Sequence, residues 1–485
     1  MTCKSALAGR SATGWMRLSQ PVMKIDRPSF DRRRRRKLLR DMPQSTRRAT
    51  AILLAAGMGT RMHSSLPKAA HPIAGLPMLR HLIGACEAVF DRIVVVVGPG
   101  MDAVTALAVP HPVVVQHERL GTAHAALQAE ELFADGDVAV LYADNPLISS
   151  VTLRHLLDRA RAGDAGLALL AMRPPETLKY GRVIGSGGFV ERIVEFADLT
   201  EIERGEKLCN AGVLCADAGR MRGWLRAVRD ENAKREFYLT DVVALARADG
   251  ARVAAVEAPY AELRGINSRA ELAEAEETVQ ARLRRAAMEA GVSMMAPDTV
   301  FLSHDTLLEA DVTVGPNVVF APGVRVAEGA EIRAFSHLEG CVVGPGAVIG
   351  PFARLRPGTV VEARAHVGNF VELKATRLGE GAKANHLSYL GDADVGAGSN
   401  IGAGTITCNY DGFAKHRTTI GPGVFVGSDA VLVAPVSVGD GAFVTAGSVI
   451  TEDVAAQEMA FGRARQVAKP GRAAMFRSAH GKGAK

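Results

Sequence analysis

The sequence predicts an α/β domain on a mostly parallel, Rossmann-like sheet, then a long helical connector, then a parallel β-helix of hexapeptide repeats. Three observations carry this. Between Thr50 and Leu263, short apolar runs alternate with helix-like stretches, the pattern of parallel strands covered by helices. Ser268–Ala290 contains no proline or glycine and is rich in Ala, Glu, Leu and Arg. After Asp311, apolar residues recur every six positions, a period that fits neither a helix nor an alternating strand. The expected divisions are 1–48, a basic disordered extension; 49–266, the α/β domain; 267–291, the connector; 292–467, the β-helix; and 468–485, a disordered tail. A chain of 485 residues, 48% of them hydrophobic, can bury the cores of two or three such domains.

In the extension, Arg32–Arg36 is a run of five arginines followed by Lys37. Residues 1–48 hold 14 Lys/Arg against 3 Asp/Glu, a balance of +11 that leaves −5 on the remainder of a chain totalling +6. The basic character therefore belongs to the extension, and nucleic-acid binding by the folded body is not expected. The extension reads as a tail or as upstream sequence translated from an early start, with Met42 a natural beginning. It lacks the apolar segment of a signal peptide, and no run reaches membrane-spanning length. The six cysteines form no CxxC pair or Cys/His cluster. Reduced thiols, a cytoplasmic setting and no zinc site are expected.

The α/β domain opens on Ala51–Lys68, AILLAAGMGTRMHSSLPK. The apolar run Ala51–Ala56 is a buried strand, and Gly57 and Gly59 let the backbone turn and approach a ligand. A glycine turn between strand and helix suits phosphate, and Arg61 and Lys68 add the charge to hold a polyphosphate. The stretch is neither a GxGxxG fingerprint nor a P-loop. Further strands are expected at Ile93–Val97, Val113–Val115 and Val138–Tyr142, with helices at Met78–Phe90 and Thr122–Phe133. Asp144 follows a strand in Tyr142–Ala143–Asp144, a suitable place for Mg²⁺, which takes one or two carboxylates plus phosphate oxygens. Gln116 and Gly121–Ala125 follow another strand and could read a base edge. Asn267 precedes the connector, whose cap is Ser268 or Asn267.

In the β-helix the six-residue register runs through Val314–Leu338, Val343–Leu373 and Ile420–Ile450, and breaks at Cys408–Arg417, read as a projecting loop. A solenoid should be apolar inside and blandly polar outside. Between Phe352 and Tyr410 this pattern fails: Arg356, Lys374, His386, Tyr389, Asn400, Asn409 and Tyr410 gather there. Histidine suits general-base work near neutrality, and Arg356 and Lys374 suit a sugar phosphate.

The combination LAAGxGxR followed by PK resembles the nucleotidyltransferase signature of sugar-1-phosphate pyrophosphorylases. With GTAHA, YAD, YGR, IVE, CNAG, GINSR, NHLSYL and CNYDG in this order, about Ala51 to Arg465 resembles the bacterial bifunctional enzymes that make UDP-N-acetylglucosamine. These are N-acetylglucosamine-1-phosphate uridyltransferases joined to glucosamine-1-phosphate N-acetyltransferases. The resemblance implies a left-handed β-helix with three hexapeptides per triangular coil, and a homotrimer. It implies that Leu54, Ala55, Ala56, Gly57, Lys68, Gln116, Gly121, Thr122, Tyr142 and Ala143 hold the nucleotide side. Gly181, Glu195 and Asn210 would hold the N-acetylated sugar, Asp144 and Asn267 would bind Mg²⁺, and Arg61 and Lys68 would neutralise charge in catalysis.

In the second half the resemblance makes His386 the base, supported by Glu372. Arg356, Lys374, Tyr389 and Asn400 would bind glucosamine-1-phosphate, with Lys415 reaching in from a neighbouring subunit. Ala403, Asn409, Tyr410, Ser428, Ala446 and Arg463 would line the acetyl-CoA side. UTP and acetyl-CoA are the implied co-substrates, and the product serves peptidoglycan and lipopolysaccharide synthesis. Two departures stand out: Met58 between the glycines, and Ala143 where YxD commonly carries glycine. Two rivals are a single-activity pyrophosphorylase with a β-helix scaffold and a non-catalytic nucleotide-sugar sensor. NHLSYL and CNYDG oppose the first, and Asp144 with Asn267 the second.

Overall fold

The computed structural model describes residues 47–480 apart from Ala134, Leu178, Lys179 and Ala233. The arginine run and Met42 lie outside the described residues. The α/β domain is built on nine strands: β1 (Arg48–Leu54), β2 (Arg92–Val97), β3 (Val113–Val115), β4 (Gly136–Tyr142), β5 (Leu167–Met172), β6 (Arg182–Ser186), β7 (Phe189–Val194), β8 (Cys209–Asp217) and β9 (Val253–Glu257). The sheet order is β3-β2-β1-β4-β8-β5-β9-β7-β6. The first four in space are parallel, β8 runs antiparallel to both its neighbours, and β6–β7 is a hairpin. Strands buried on both faces read as unbroken apolar runs, which is why RATAILL and RIVVVV were legible. Leu53 packs into one core and Ile52 and Leu54 into the other, on opposite faces of the sheet.

The helix Met78–Glu87 turns Leu79, Leu82, Ile83 and Cys86 into the first core, at helical spacing. The helix expected over Thr122–Phe133 is shorter: it spans Thr122–Leu127, and a single 3₁₀ turn follows at Glu130–Leu132. β1 begins at Arg48, inside the stretch expected to belong to the extension.

The connector is one helix of 21 residues, Arg269–Glu289, capped by Ser268. Ser268 accepts from Glu271 N while the Glu271 carboxylate accepts from Ser268 N, a reciprocal capping box. The helix is fastened to both halves. Glu276 accepts from Ala74 N at 2.7 Å. Gln280 is buried and exchanges two hydrogen bonds with the Leu302 backbone, at 2.7 and 2.9 Å. A buried amide satisfied in both directions fixes an angle that a greasy contact would leave adjustable.

Beyond it, two- to four-residue strands stack into three parallel sheets of ten, eight and eight strands. Val314, Ile332, Ile349, Val367, Ala384, Ile401, Val426 and Val444 form one inward column, and each of the other sheets contributes its own. Residues six apart therefore lie on adjacent faces, and one coil advances about eighteen residues. All the apolar positions of the six-residue register are buried. The chain is a parallel β-helix of the left-handed hexapeptide class. The projecting loop runs from Asn409 to Arg417 and is pinched by a bridge between Tyr410 and Lys415. One corner carries Phe335, Phe352 and Phe370, stacked at centroid separations of 4.9 and 5.2 Å and half exposed. The expected disordered tail instead carries a helix, Arg472–His480, with every side chain exposed.

Two candidate active sites

Pairing of Leu54 with Tyr142 brings the ends of β1 and β4 side by side, so the loops that follow emerge together. A cavity of about 220 Å³ lies there. Its lining includes Leu54, Ala55, Ala56, Gly57, Lys68, Gln116, Gly121, Thr122, Tyr142, Ala143 and Asp144. Ligands of open α/β sheets sit at such strand ends. Gly59 adopts φ +64°, and a Cβ there would stand 2.5 Å from Lys68 Cβ, so glycine lets the loop close against the lysine. Met58 points outward, 58% exposed, and Ala143 is buried.

At the floor, Lys68 Nζ donates to Asp144 Oδ2 at 2.5 Å and to Asn267 Oδ1 at 3.1 Å, and Arg61 Nη2 donates to the same amide oxygen at 2.8 Å. Four residues from three distant stretches of the sequence therefore share one knot. The connector's cap holds Asn267 in it, because Asn267 N donates to Glu271 Oε2, the carboxylate of the capping box. Ile266 N donates to Asp144 O at 2.9 Å, tying this loop to β4. Two oxygen donors converging on one ammonium fit a divalent cation that takes further ligands from phosphate and water.

Gln116 is buried, and its amide donates to Gly121 O at 3.1 Å. Thr122 accepts from Leu239 N at 2.9 Å. Burial pushes the Tyr142 phenol up to about 12, so it stays protonated. Gly181 and Glu195 flank the hairpin β6–β7, and Asn210 N donates to Gly181 O at 2.9 Å. Burial holds the Glu195 carboxyl above its ordinary value, opposed by a hydrogen bond with Thr240. Sequence reasoning missed Arg119, whose Nε donates to Ala56 O at 3.0 Å, and Glu236; both line the cavity. Neither lies in a periodic run or a glycine turn.

The second constellation sits on the β-helix. His386 stacks on Asn369 in register, and the His386 Nδ1 pairs with Asn369 Oδ1 at 2.8 Å. Glu372, expected to support His386, is engaged elsewhere: it accepts from Arg356 Nη1 at 2.9 Å. The hydrogen-bond partner of the histidine is Asn369, which sits one coil beneath it, while Glu372 has turned onto the next sheet. Lys374 donates to both oxygens of Asp392, at 3.2 and 3.0 Å, and Asn409 donates to the same carboxylate. Burial pushes Asp392 up, but Lys374 and Asn409 outweigh it and hold the carboxyl below its ordinary range. Lys415 was expected to serve a neighbouring subunit. Here it approaches Lys374 of its own chain, whose ammonium holds it below the usual lysine value.

Tyr389 pairs with Glu372 across adjacent coils, and Asn400 with Lys383. At Gly391 a Cβ would stand 2.5 Å from Tyr389 Oη and 2.7 Å from Asn409 Nδ2, so a side chain there would displace the ends of both. At the corner above His386, Asp429 N donates to Ala403 O and Gly447 N to Ser428 O, which stacks Ala403, Ser428 and Ala446 in one column. Arg463 lies beside Gly447. Tyr410 is exposed, and its hydroxyl donates to Gly412 O within the projecting loop.

Fold and sites together define a two-site group-transfer enzyme: a nucleotide-binding α/β domain carried on a hexapeptide β-helix. The family of MobA-like NTP transferase domains matches residues 51–192, and the bacterial transferase hexapeptide family matches residues 417–452. "Bifunctional protein GlmU" of Gluconacetobacter diazotrophicus is 66% identical over 444 residues, covering 90% of this chain and 96% of that one. Its counterpart in Acidiphilium cryptum is 63% identical over 433 residues, covering 89% and 99%. That of Jannaschia sp. is 49% identical over 443 residues, covering 90% and 97%. The chain belongs to the GlmU family of bifunctional enzymes. It is a uridyltransferase in its first half and an N-acetyltransferase in its second.

Because the capping box places Asn267, Ser268→Ala should weaken the first site from a distance. A lost cap costs about 1 kcal/mol, which is about fivefold in an equilibrium. Uridylyl transfer should lose about that factor in kcat/KM. Acetyl transfer, assayed on the same sample, should be unchanged.

Proposed function

We propose that this chain acetylates glucosamine-1-phosphate with acetyl-CoA at the β-helix and joins the product to UMP from UTP in the α/β domain. The observation that carries the first site is the convergence of Asp144 and Asn267 on one ammonium beside a cavity walled by Leu54–Gly57. Asp144 and Asn267 would hold Mg²⁺, which when bound supplies charge neutralisation and orients the phosphates. Lys68 and Arg61 swing from these two residues onto the polyphosphate. A phosphate oxygen of the sugar phosphate attacks the α-phosphorus of UTP, and the bond to the β-phosphate oxygen breaks to release pyrophosphate. No covalent enzyme intermediate is needed, so positioning and charge do the work. Gln116, Gly121 and Thr122 read the nucleotide, and Gly181, Glu195 and Asn210 hold the N-acetylated sugar.

At the second site, Asn369 Oδ1 accepts a hydrogen bond from His386 Nδ1–H, which leaves Nε2 as the base. The glucosamine nitrogen attacks the thioester carbonyl, its proton passes to His386 Nε2, the carbon–sulfur bond breaks, and His386 hands that proton to the departing thiolate to give free thiol. Arg356, Lys374 and Lys415 form the cationic group that suits a sugar phosphate, with Tyr389 and Asn400 beside the sugar. Ala403, Asn409, Tyr410, Ser428, Ala446 and Arg463 form the acetyl-CoA side. We place the reaction in the cytoplasm, where its product feeds peptidoglycan and lipopolysaccharide precursors. No helix among the described residues is long and apolar enough to cross a membrane. The assembly is a homotrimer, with the exposed ladder Phe335–Phe352–Phe370 meeting a second copy.

Asp144→Ala should lower uridylyl transfer, read as pyrophosphate release, by about 10³-fold. Acetyl transfer, read as free thiol, should persist; loss of both in folded protein would sink the two-site reading. Asn369→Ala should cut acetylation kcat about tenfold with little change in KM. Asn369→Asp keeps an acceptor for Nδ1 and should recover most of the rate. Equal damage in both variants would remove the orienting role. Phe352→Asp should shift the light-scattering mass from trimer towards monomer, and an unchanged mass would place the interface on another face.

A further inference from the structure

Away from both sites, a cavity of about 390 Å³ opens where the α/β domain, the connector and the first coil meet. Its floor is apolar, from Leu76, Leu147, Ile148, Val279 and Leu283. Its polar lining comes from Arg80, His81, Arg282, His304 and Ser149. No carboxylate lines it among the described residues. Of the nearby acids, Glu276 already accepts from Ala74 N and from Gln280 Nε2. Asp305 stands 3.9 Å from His304.

The rim donors differ in what they can offer. Arg80 Nη1 is committed to Leu107 O at 3.2 Å and Val109 O at 3.1 Å. His81 Nε2 is held by Ile73 O at 2.9 Å, and burial keeps this imidazole below its ordinary value. Arg282 spends one N–H on Leu147 O, at a long 3.3 Å, and its other N–H groups have no protein acceptor among the described residues. His304 lines the same cavity as His81. The Arg282 guanidinium, with N–H groups that no protein acceptor among the described residues takes up, and the His304 imidazole, with Asp305 at 3.9 Å, thus border an apolar hollow of ligand size.

We infer that this cavity binds a small organic anion, its apolar body on the leucine and isoleucine floor and its single acidic group against Arg282 and His304. Such binding is independent of either catalytic reading. Gly84 supplies a clean test. It lies on the helix Met78–Glu87 and lines the cavity, and a Cβ at this position would meet no atom within 4 Å. Gly84→Leu would fill the space and favour the helix. Arg282→Met would keep bulk and remove the charge.

The probe is anilinonaphthalene sulfonate, an aromatic body with one sulfonate, titrated by fluorescence into the full chain. Saturation at one probe per chain is expected, undisturbed by excess UTP with Mg²⁺. Each variant should weaken binding at least about tenfold, equivalent to about 1.4 kcal/mol. Circular dichroism checks that Gly84→Leu is folded; if it is not, Arg282→Met decides alone. Displacement of the probe by UTP, a signal that never saturates, or unchanged affinity in the folded variants would each overturn the inference.

Discussion

Leu54 pairs with Val96 on one side and with Tyr142 on the other, and Asn369 pairs with His386 one coil above it. In both halves, parallel strands locked in register bring residues distant in sequence to one edge. Register is the constraint on which the sites depend, because slipping a strand by one residue sends its side chains to the opposite face. In the sheet, the shared ends of β1 and β4 put the glycine turn beside Asp144. In the β-helix, the stacking of coils turns spacing along the chain into columns at a corner, so that Ala403, Ser428 and Ala446 lie above His386.

The connector extends that constraint across the molecule. Its first turn fixes Asn267 through Glu271, and its middle is clasped to the first coil through Gln280. One helix therefore sets both the position of Asn267 and the attachment of the β-helix. A disordered linker would have joined the halves without doing either. The polar clasp matters because a buried amide tolerates only an orientation that satisfies both its groups.

Much of this was legible from the chain alone. Apolar runs flanked by glycine gave the parallel strands, and the period of six gave the β-helix, because both patterns follow directly from which faces are buried. The sequence register lapses between Leu373 and Ile420 for a physical reason. There the inward column steps by five residues at Leu373–Leu378 and at Leu390–Val395, and the small Ala384 takes a position usually filled by a branched side chain. The projecting loop then adds further residues to a single coil. Shortened corners and a small core residue erase the period without disturbing the stack, since the ladder bonds follow the backbone. The mixed half of the sheet was less legible, as β8 looks the same in sequence whichever way it runs.

Side-chain partnerships were the least legible, and Glu372 shows why. It lies three residues after Asn369, and both are polar groups near the histidine in sequence register. On a helix such neighbours could share a face; on this coil the chain turns a corner between them. Asn369 therefore stays under His386, whereas Glu372 is carried onto the adjoining sheet, where Arg356 of the coil below reaches it. The salt bridge commits the carboxylate to the Arg356 guanidinium. A neutral amide is left to orient the imidazole, and this has a chemical consequence. A carboxylate at Nδ1 would stabilise the protonated ring and hold the proton after transfer, whereas an amide orients the ring with less charge stabilisation. In the proposed acetyl transfer, the ring would then hand its proton more readily to the departing thiolate.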